Sequence, residues 1–336
     1  MSSVGIIANP ASGKDIRRLV AHGSVFSNAE KVNIVRRALT GLDAMGVDTI
    51  VTMPDSFDIC RKAQDTLTLR ATVQELDMPV FSTQDDTTRA AALMADIGIN
   101  SLISLGGDGT NRALVKTCGP IPLLPISTGT NNVFPYMLES TLAGLAAGLV
   151  AQGWVTPADS LTQRPRLDLL VCDEVVDLAL IDAVVCNDVS IASRAIWDMT
   201  KISYVIVSQR LPAQIGFMAL AGNLPLPDNA QNTGIIIETH PEAPPVLAPI
   251  APGLIVPVGI RRHTPLPVGE PVELTKGPCI IALDGEREVM VRRDEPVAVR
   301  LNPNGPRVID PHRTLTWAAQ QGVFMQEHLS KWLETS

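Results

Sequence analysis

The sequence contains few aromatic residues and no long run of positive charge. Phe, Trp and Tyr make up 4% of the 336 residues, so the core must be built mainly from Ala, Val, Leu and Ile. The formal net charge is −8, and consecutive Lys or Arg residues occur only in pairs. Such a surface does not favour nucleic acids or anionic membranes, so we expect neither as a partner.

Paired cysteine motifs and targeting segments are also missing. The five cysteines lie far apart and form no C-x-x-C pair, which favours free thiols in a reducing compartment. The N-terminus has no charged segment followed by an apolar one, so we expect no signal peptide. The most apolar stretch outside the predicted strands, residues 246–260, contains three prolines and cannot be a membrane-spanning helix. These absences predict a cytoplasmic protein.

Residues 103–115 form the most informative stretch and read I-S-L-G-G-D-G-T-N-R-A-L-V. A strand predicted at 101–105 is followed by a glycine-rich turn, and we expect a helix from Asn111. The turn contains Gly106, Gly107, Asp108, Gly109 and Thr110. Glycines allow backbone N–H groups to approach a phosphate, and the N-terminus of a helix adds free donors. The sequence therefore predicts a phosphate-binding turn.

Asp108 is an unusual residue in such a turn. A carboxylate repels phosphate unless a cation separates the two groups or the carboxylate takes part in proton transfer. The structural alternative is an Asp that only stabilises its own turn. The five histidines show no metal-ligand spacing, so we expect no zinc site and assign no metal-ligating residue.

Two further loops that follow predicted strands carry polar residues suited to phosphate. The first follows strand 4–8 and contains Asn9, Ser12 and Lys14. It departs from a Walker A motif, because Ala8 and Asp15 stand where Gly and Ser or Thr are required. The second follows strand 122–126 and contains Thr128, Gly129, Thr130, Asn131 and Asn132. A plain strand-to-helix turn for the first loop and a helix cap for the two Asn residues are the structural alternatives.

The distribution of apolar residues predicts two regions. Residues 1–153 alternate strands and helices, including a helix capped by Asn28, a short strand at 80–82 and a helix with a capping box at Thr83. This alternation predicts a mostly parallel, doubly wound sheet, and the three polar loops should meet at the carboxyl ends of its strands. After Trp154 the sequence becomes β-rich, and the prolines from Pro244 indicate loops. The predicted strands there are 167–172, 175–185, 234–240, 272–274, 280–283, 289–292 and 297–301.

Five short motifs occur in an order that resembles a known superfamily. They are Asn9-Pro10 with Ser12-Gly13-Lys14, Gly106–Thr110, Gly129–Asn132, Asn187-Asp188 and Asp284-Gly285-Glu286. The GGDGT string is similar to the signature of NAD kinases and of lipid kinases of the diacylglycerol and sphingosine type. The closest resemblance is to the acetoin-catabolism AcoX branch of the ATP-NAD kinase superfamily. It implies a nucleotide-binding α/β domain (1–153 plus 311–336) and a sandwich-like, β-rich substrate domain (154–310).

The resemblance also implies an activity and roles for individual residues. Asp108 would accept the proton of the acceptor hydroxyl or help to organise Mg²⁺, and Gly109 and Thr110 would hold phosphates. Asn187 and Asp188 would contact a nucleotide, whereas the Asp-Gly pair at 284–285 is typical of a hairpin turn.

We expect ATP and Mg²⁺ as cofactors and a small hydroxyl-bearing acceptor, foremost the adenosine ribose 2′-hydroxyl of NAD. The alternatives are a lipid kinase of the diacylglycerol type and a non-catalytic, nucleotide-binding regulatory protein linked to acetoin catabolism. The loop 127–134 is more similar to that of the lipid kinases. We also expect a homo-oligomer, as is common in this superfamily.

Overall fold

The structure is a computed structural model that describes residues 1–12, 22–24, 26–187, 199–211, 213–225 and 233–325. Lys14 and Asp188 of the predicted site lie outside these residues. Among the described helices, none is long and apolar enough to cross a membrane.

The first part of the chain alternates strands and helices, as predicted. Its elements are β1 (Ser3–Ala8), α1 (Asn28–Ala44), β2 (Thr49–Thr52), α2 (Ile59–Gln64), β3 (Thr72–Glu75), α3 (Gln84–Asp96), β4 (Ser101–Gly106), α4 (Asp108–Val115), β5 (Leu123–Ser127), α5 (Ser140–Ala151), α6 (Pro157–Ser160) and β6 (Leu161–Gln163).

The later part is rich in strands. Its elements are β7 (Arg166–Val171), β8 (Glu174–Ala179), β9 (Asp182–Cys186), β10 (Ile202–Val207), α7 (Met218–Asn223), β11 (Ile235–Thr239), β12 (Pro245–Ala251), β13 (Leu254–Pro265), β14 (Pro271–Lys276), β15 (Cys279–Leu283), β16 (Glu286–Val291), β17 (Pro296–Asn302), β18 (Arg307–Ile309) and α8 (Pro311–Gln320).

Within the described residues, a seven-stranded sheet has the order β3-β2-β1-β4-β5-β18-β6. All of its pairs are parallel except β18 with β6. The strand order reverses between β1 and β4, and such a switch point opens a crevice at the carboxyl ends of the two strands. The predicted mostly parallel, doubly wound sheet is confirmed.

The β-rich part contains two antiparallel sheets, whose described strands have the orders β12-β13-β11-β10-β9-β15-β16 and β14-β17-β7-β8. Their facing sides share one buried cluster, in which Leu169 and Val299 from one sheet accompany Val185 and Ile281 from the other. Alternate residues of a strand point to opposite faces, so this pairing of inner faces produces a sandwich. The predicted sandwich-like region is confirmed.

The larger of these two sheets also packs against the α/β part. Leu102 of β4 and Leu114 of α4 belong to the same buried cluster as Val184 of β9 and Val205 of β10. The two parts therefore share a continuous apolar core at one side of the parallel sheet. β6 and β18 join the parallel sheet although both lie within 154–310, and α8 packs against α5.

Two local predictions in the α/β part are wrong. The cap of α1 is Ser27, whose side chain accepts from the backbone N–H of Glu30, and Asn28 is already helical. Residues 80–82 form no strand. The backbone N–H of Phe81 instead donates to the Asp86 carboxylate, which also completes the confirmed capping box of α3. The segment is therefore the entry to a helix rather than a member of the sheet.

Two predictions in the β-rich part are also wrong. The single strand predicted at 175–185 is divided into β8 and β9, because the backbone between them turns toward the Asp284 carboxylate. The proline-rich stretch predicted as loops forms the β12–β13 hairpin. β12 is an edge strand, so a proline whose missing N–H would face away from the sheet does not interrupt the hydrogen bonds between strands.

Candidate active site at the switch point

The loop after β1 is joined to the glycine-rich turn after β4. Asn9 donates from its backbone N–H to the carbonyl of Leu105 at 3.1 Å and from its side-chain amide to Thr110 Oγ1 at 3.0 Å. Ser12 Oγ donates back to the carbonyl of Asn9 at 2.8 Å. Asn9, Ser12 and Thr110, all predicted as site residues, are therefore brought together at the switch point.

Lys31 supports this loop and was missed by the sequence analysis. Its side chain is fully buried, and its Nζ donates to the carbonyls of Asn9, Pro10 and Ser12 at 2.8–3.0 Å. The ammonium group thus places a positive charge directly behind the loop. The only signal in the sequence was a Lys on a predicted helix, which is normally solvated.

The glycine-rich turn passes directly into α4, three residues earlier than predicted. Gly107 is the N-cap, so Asp108 occupies the first helical position and the first N–H groups of the helix have no partner within it. Asn111 fixes the turn, since its side-chain amide donates to the Gly107 carbonyl at 2.8 Å. A Cβ at Gly107 would lie 2.7 Å from Asn132 Oδ1, so the third loop also packs closely here.

The Asp108 carboxylate is half-buried and directed across the turn to the third loop. Its Oδ1 accepts from the backbone N–H of Phe134 at 2.8 Å, and both oxygens lie 3.1 Å from the N–H of Val133. Asp108 therefore anchors the third loop as well as lying in the cleft.

The third loop is built from hydrogen bonds among its own side chains and to the first loop. Thr128 Oγ1 donates to Ser12 Oγ at 3.0 Å, and the Asn132 amide donates to Ser127 Oγ at 2.8 Å. Gly129 is buried beside them, and the exposed Thr130 accepts from the backbone N–H of residue 24 at 3.0 Å. The helix-cap alternative for Asn131 and Asn132 is wrong, because the N-cap of α5 is residue 139.

The glycine-rich turn and the third loop form one side of a narrow cleft with a volume of about 50 Å³, and the first loop supports them from behind. Asp108, Asn131 and Val133 line that side, and the β-rich part supplies the other. The opposite wall is mostly apolar but contains two more carboxylates; its residues are Ile181, Asp182, Ile215, Gly216, Phe217, Ile250, Ala251, Asp284 and Gly285. The cleft has room for a few water molecules or one small group of a substrate.

Asp284 lies in the expected hairpin turn between β15 and β16, yet it is buried in the cleft wall. Its carboxylate accepts from the backbone N–H groups of Leu180, Ile181 and Asp182 at 2.7–3.3 Å. Burial raises the pKa of Asp284 to about 6, although these hydrogen bonds and the nearby Arg112 partly oppose the rise. The Asp-Gly pair indicated the turn, but no local pattern indicated the burial.

Asn187 lies away from this cleft. β9 begins at Asp182 in the cleft wall and ends at Cys186, so Asn187 follows at the far end, roughly 16 Å along the strand. Its backbone N–H donates to the carbonyl of Lys201, and its side-chain oxygen lies 3.3 Å from Ser203 Oγ. The described part of the chain contains no cluster of three or more His, Cys, Asp or Glu residues able to hold a metal ion.

Comparison with known proteins identifies the family to which this chain belongs. Residues 4–154 match the ATP-NAD kinase N-terminal domain, and residues 165–304 match the acetoin catabolism protein X C-terminal domain. The acetoin catabolism protein X of Cupriavidus necator is 40% identical over 322 residues, which cover 91% of this chain and 89% of that protein. The chain belongs to the acetoin catabolism protein X family. The resemblance seen in the order of its motifs is confirmed.

This chain thus combines a match to the ATP-NAD kinase N-terminal domain with a match to the C-terminal domain of acetoin catabolism protein X. Among solved structures, yeast NADH kinase complexed with NADH is 13% identical, with 95% of this chain and 86% of that chain covered and a TM-score of 0.49. A diacylglycerol kinase from Bacillus anthracis is 12% identical, with 92% and 96% covered and a TM-score of 0.44.

Proposed function

We propose that this member of the acetoin catabolism protein X family is a kinase that transfers a phosphoryl group from ATP to a hydroxyl group of a small molecule. The observation that carries the proposal is the meeting of three polar loops around Asp108 at the switch point of a doubly wound sheet. The N-terminus of α4 and the ammonium group of Lys31 supply positive potential there. NAD, through its adenosine ribose 2′-hydroxyl, is the foremost acceptor that we propose.

The residues of the cleft fit the ATP and Mg²⁺ that such a reaction requires. Mg²⁺ is commonly held by one or two carboxylates, with water and substrate phosphates completing its shell, so a cluster of three acids is not needed. Asp108 would supply that carboxylate, and Gly107, Gly109 and Thr110 would hold phosphate oxygens. When bound, the ion neutralises the charge that develops on the transferred phosphoryl group.

The hydrogen bonds to Asp108 favour a charge-organising role over a strongly basic one. Backbone N–H groups of Val133 and Phe134 donate to its carboxylate oxygens and fix their position. Phosphoryl transfer depends mainly on positioning and charge stabilisation, so a weak base suffices. The cleft would receive only the reacting groups, with the remainder of both substrates lying outside it.

A second acceptor class is suggested by the apolar part of the opposite wall. Ile181, Phe217 and Ile250 would contact the apolar carbons beside a lipid hydroxyl more favourably than the polar ribose beside the NAD hydroxyl. A lipid alcohol of the diacylglycerol type is therefore the second candidate.

The test is an ATP-consumption assay on the purified full chain with NAD, NADH, diacylglycerol in vesicles, and small polyols or acetoin-like alcohols. Asp108→Asn keeps an oxygen for the Val133 and Phe134 amides, so it removes the charge while retaining the loop. We expect product with NAD and a loss of at least about 10²-fold in kcat/KM in the variant.

The matched control is Asp310→Asn. Asp310 also accepts a backbone N–H at the start of a helix, but it caps α8 outside the cleft lining. The control should retain full activity. Turnover with diacylglycerol alone would replace NAD by a lipid acceptor, and nucleotide binding without turnover on any acceptor would favour a regulatory protein.

A further inference from the structure

A group of four charged side chains, of which Arg112 and Asp284 are buried, joins helix α4 to the β-rich part of the chain. Arg112 has no exposed surface, and its Nη1 donates to Asp177 Oδ2 at 3.1 Å. Its Nε lies 4.0 Å from Asp284 Oδ2, and Lys116 Nζ lies 2.8 Å from Asp177 Oδ1. Arg112 belongs to α4 and Lys116 is the C-cap residue of that helix, whereas Asp177 lies on β8 and Asp284 lies in the β15–β16 turn. Charged contacts therefore connect the two sides of the cleft.

Arg112 connects these contacts to the reacting end of α4. It follows Asp108 by four residues, and residues four apart lie on the same face of a helix. A shift of this turn of the helix would therefore displace Asp108 as well. Arg112 is held in place because it is buried and lies against Asp177 on β8 and Asp284 in the β15–β16 turn.

Asp284 connects the same contacts to the opposite wall. Three consecutive backbone N–H groups, at residues 180–182, donate to its carboxylate. The backbone N–H of Asp284 returns a hydrogen bond to the carbonyl of Asp182 at 3.0 Å. Because Ile181 and Asp182 line the cleft, the Asp284 carboxylate sets where this wall stands relative to Arg112.

We propose that Arg112 and Asp284 are positioning residues that fix the separation between Asp108 and the wall at residues 181–182 during phosphoryl transfer. The proposal rests on the kinase function proposed above. Because such transfer relies on the placement of the reacting groups, a changed separation lowers kcat, whereas a nucleotide held by the three loops still binds. A purely structural ion pair would instead stabilise the fold without affecting kcat per folded molecule.

The kinetic test uses Arg112→Met, Asp284→Asn and the double variant, each in the full chain. Each single change should lower kcat about tenfold or more while KM for ATP stays within about threefold. The double variant should be no slower than the slower single variant, because residues that act as one unit have non-additive effects. Unchanged kcat, a rise in KM alone or strictly additive losses would overturn the proposal.

Asp168→Asn is the matched control for these variants. Asp168 is a buried carboxylate that accepts from Arg166, Arg300 and Asn302 within the sandwich, and it does not line the cleft. Its loss should destabilise the protein and leave kcat per folded molecule unchanged. A similar loss of kcat in Asp168→Asn would show that removing any buried charge lowers kcat. That result would contradict a specific role for the Arg112–Asp284 pair.

Hydrogen exchange on the substrate-free chain tests the coupling independently of turnover. Arg112→Met, a change in α4, should accelerate exchange of the backbone amides at residues 180–182 across the cleft, and Asp168→Asn should not. If the wild type phosphorylates no acceptor, the kinase proposal fails while this measurement still decides whether the pair couples the two walls. Unaltered exchange at residues 180–182 in Arg112→Met would refute the coupling.

Discussion

The buried carboxyl group of Asp284 predicts an unusual dependence of stability on pH. Most carboxylates in folded proteins have a lowered pKa and stabilise the fold more as pH rises. Burial raises the pKa of Asp284 to about 6, against 3.8 for the group in an unfolded chain. Between these two values the folded state binds more protons than the unfolded state, so this group lowers the free energy of unfolding as pH rises.

The magnitude follows from the size of the shift. Each pH unit contributes about 1.4 kcal/mol, so the loss between pH 4.5 and pH 7 is roughly 2 kcal/mol for this group alone. Below the unfolded value both states carry the proton, and above the folded value neither does, so the effect is confined to the interval between them. Asp284→Asn removes it, because the amide of asparagine does not titrate.

The assay is urea unfolding of the wild type and Asp284→Asn at steps from pH 4.5 to pH 7.5. The free energy of unfolding of the wild type minus that of the variant should fall by about 2 kcal/mol over this interval and level off above pH 6 to 7. Subtraction removes the contributions of all other titrating groups. A difference that is independent of pH, or that grows with pH, would refute the reasoning.

Asp168→Asn provides a control, because the pKa of Asp168 is shifted in the opposite direction to that of Asp284. Burial alone would raise the pKa of Asp168, but hydrogen bonds from Arg300 and Asn302 and the charge of Arg166 outweigh it and lower the pKa. The stability from Asp168 is therefore fully present above the unfolded value and is lost only as pH falls through a still lower one. The difference between wild type and Asp168→Asn should be flat from pH 4.5 to pH 7.5.

Two further changes test the loops of the cleft. Lys31→Met leaves three carbonyls in the loop 9–12 without their donor, so we expect a loss of about 2–5 kcal/mol in urea unfolding and weaker ATP binding by calorimetry. The exposed Lys62 also donates to a carbonyl, and Lys62→Met should change neither quantity appreciably. Gly107→Ala places a Cβ 2.7 Å from Asn132 Oδ1, so it should raise KM for ATP; an unchanged KM would exclude close packing of the two loops.

The order of elements in the α/β part could be predicted because its signals are local. Apolar residues at helical spacing and short apolar runs identify helices and strands, and parallel strands then bring the loops at 9–12, 106–110 and 127–132 to one edge. The convergence of these loops followed from topology alone. By contrast, the division of the predicted strand 175–185 depends on Asp284, about a hundred residues away, and no periodicity in the strand itself reveals such a partner.

The supporting residues of the cleft could not be predicted for a related reason. Lys31 and Arg112 have the pattern of solvated charges on amphipathic helices, but the structure buries each against partners distant in sequence. Prolines misled the prediction of β12, because whether a proline breaks a strand depends on whether its strand lies at the edge of a sheet, as β12 does. Sequence patterns located the loops that we predict to approach a phosphate, but not the residues that hold those loops in place.

The two roles considered for Asp108 in the glycine-rich turn, holding a loop in place and taking part in the reaction, are compatible. Asp108 lies at the first position of α4, where a negative charge is favoured by the helix dipole, and two backbone N–H groups from the third loop favour its charge further. The same hydrogen bonds hold Val133 in the cleft lining. A carboxylate fixed in this way is a well-placed stationary charge, which is the contribution that the proposed phosphoryl transfer most requires from the protein.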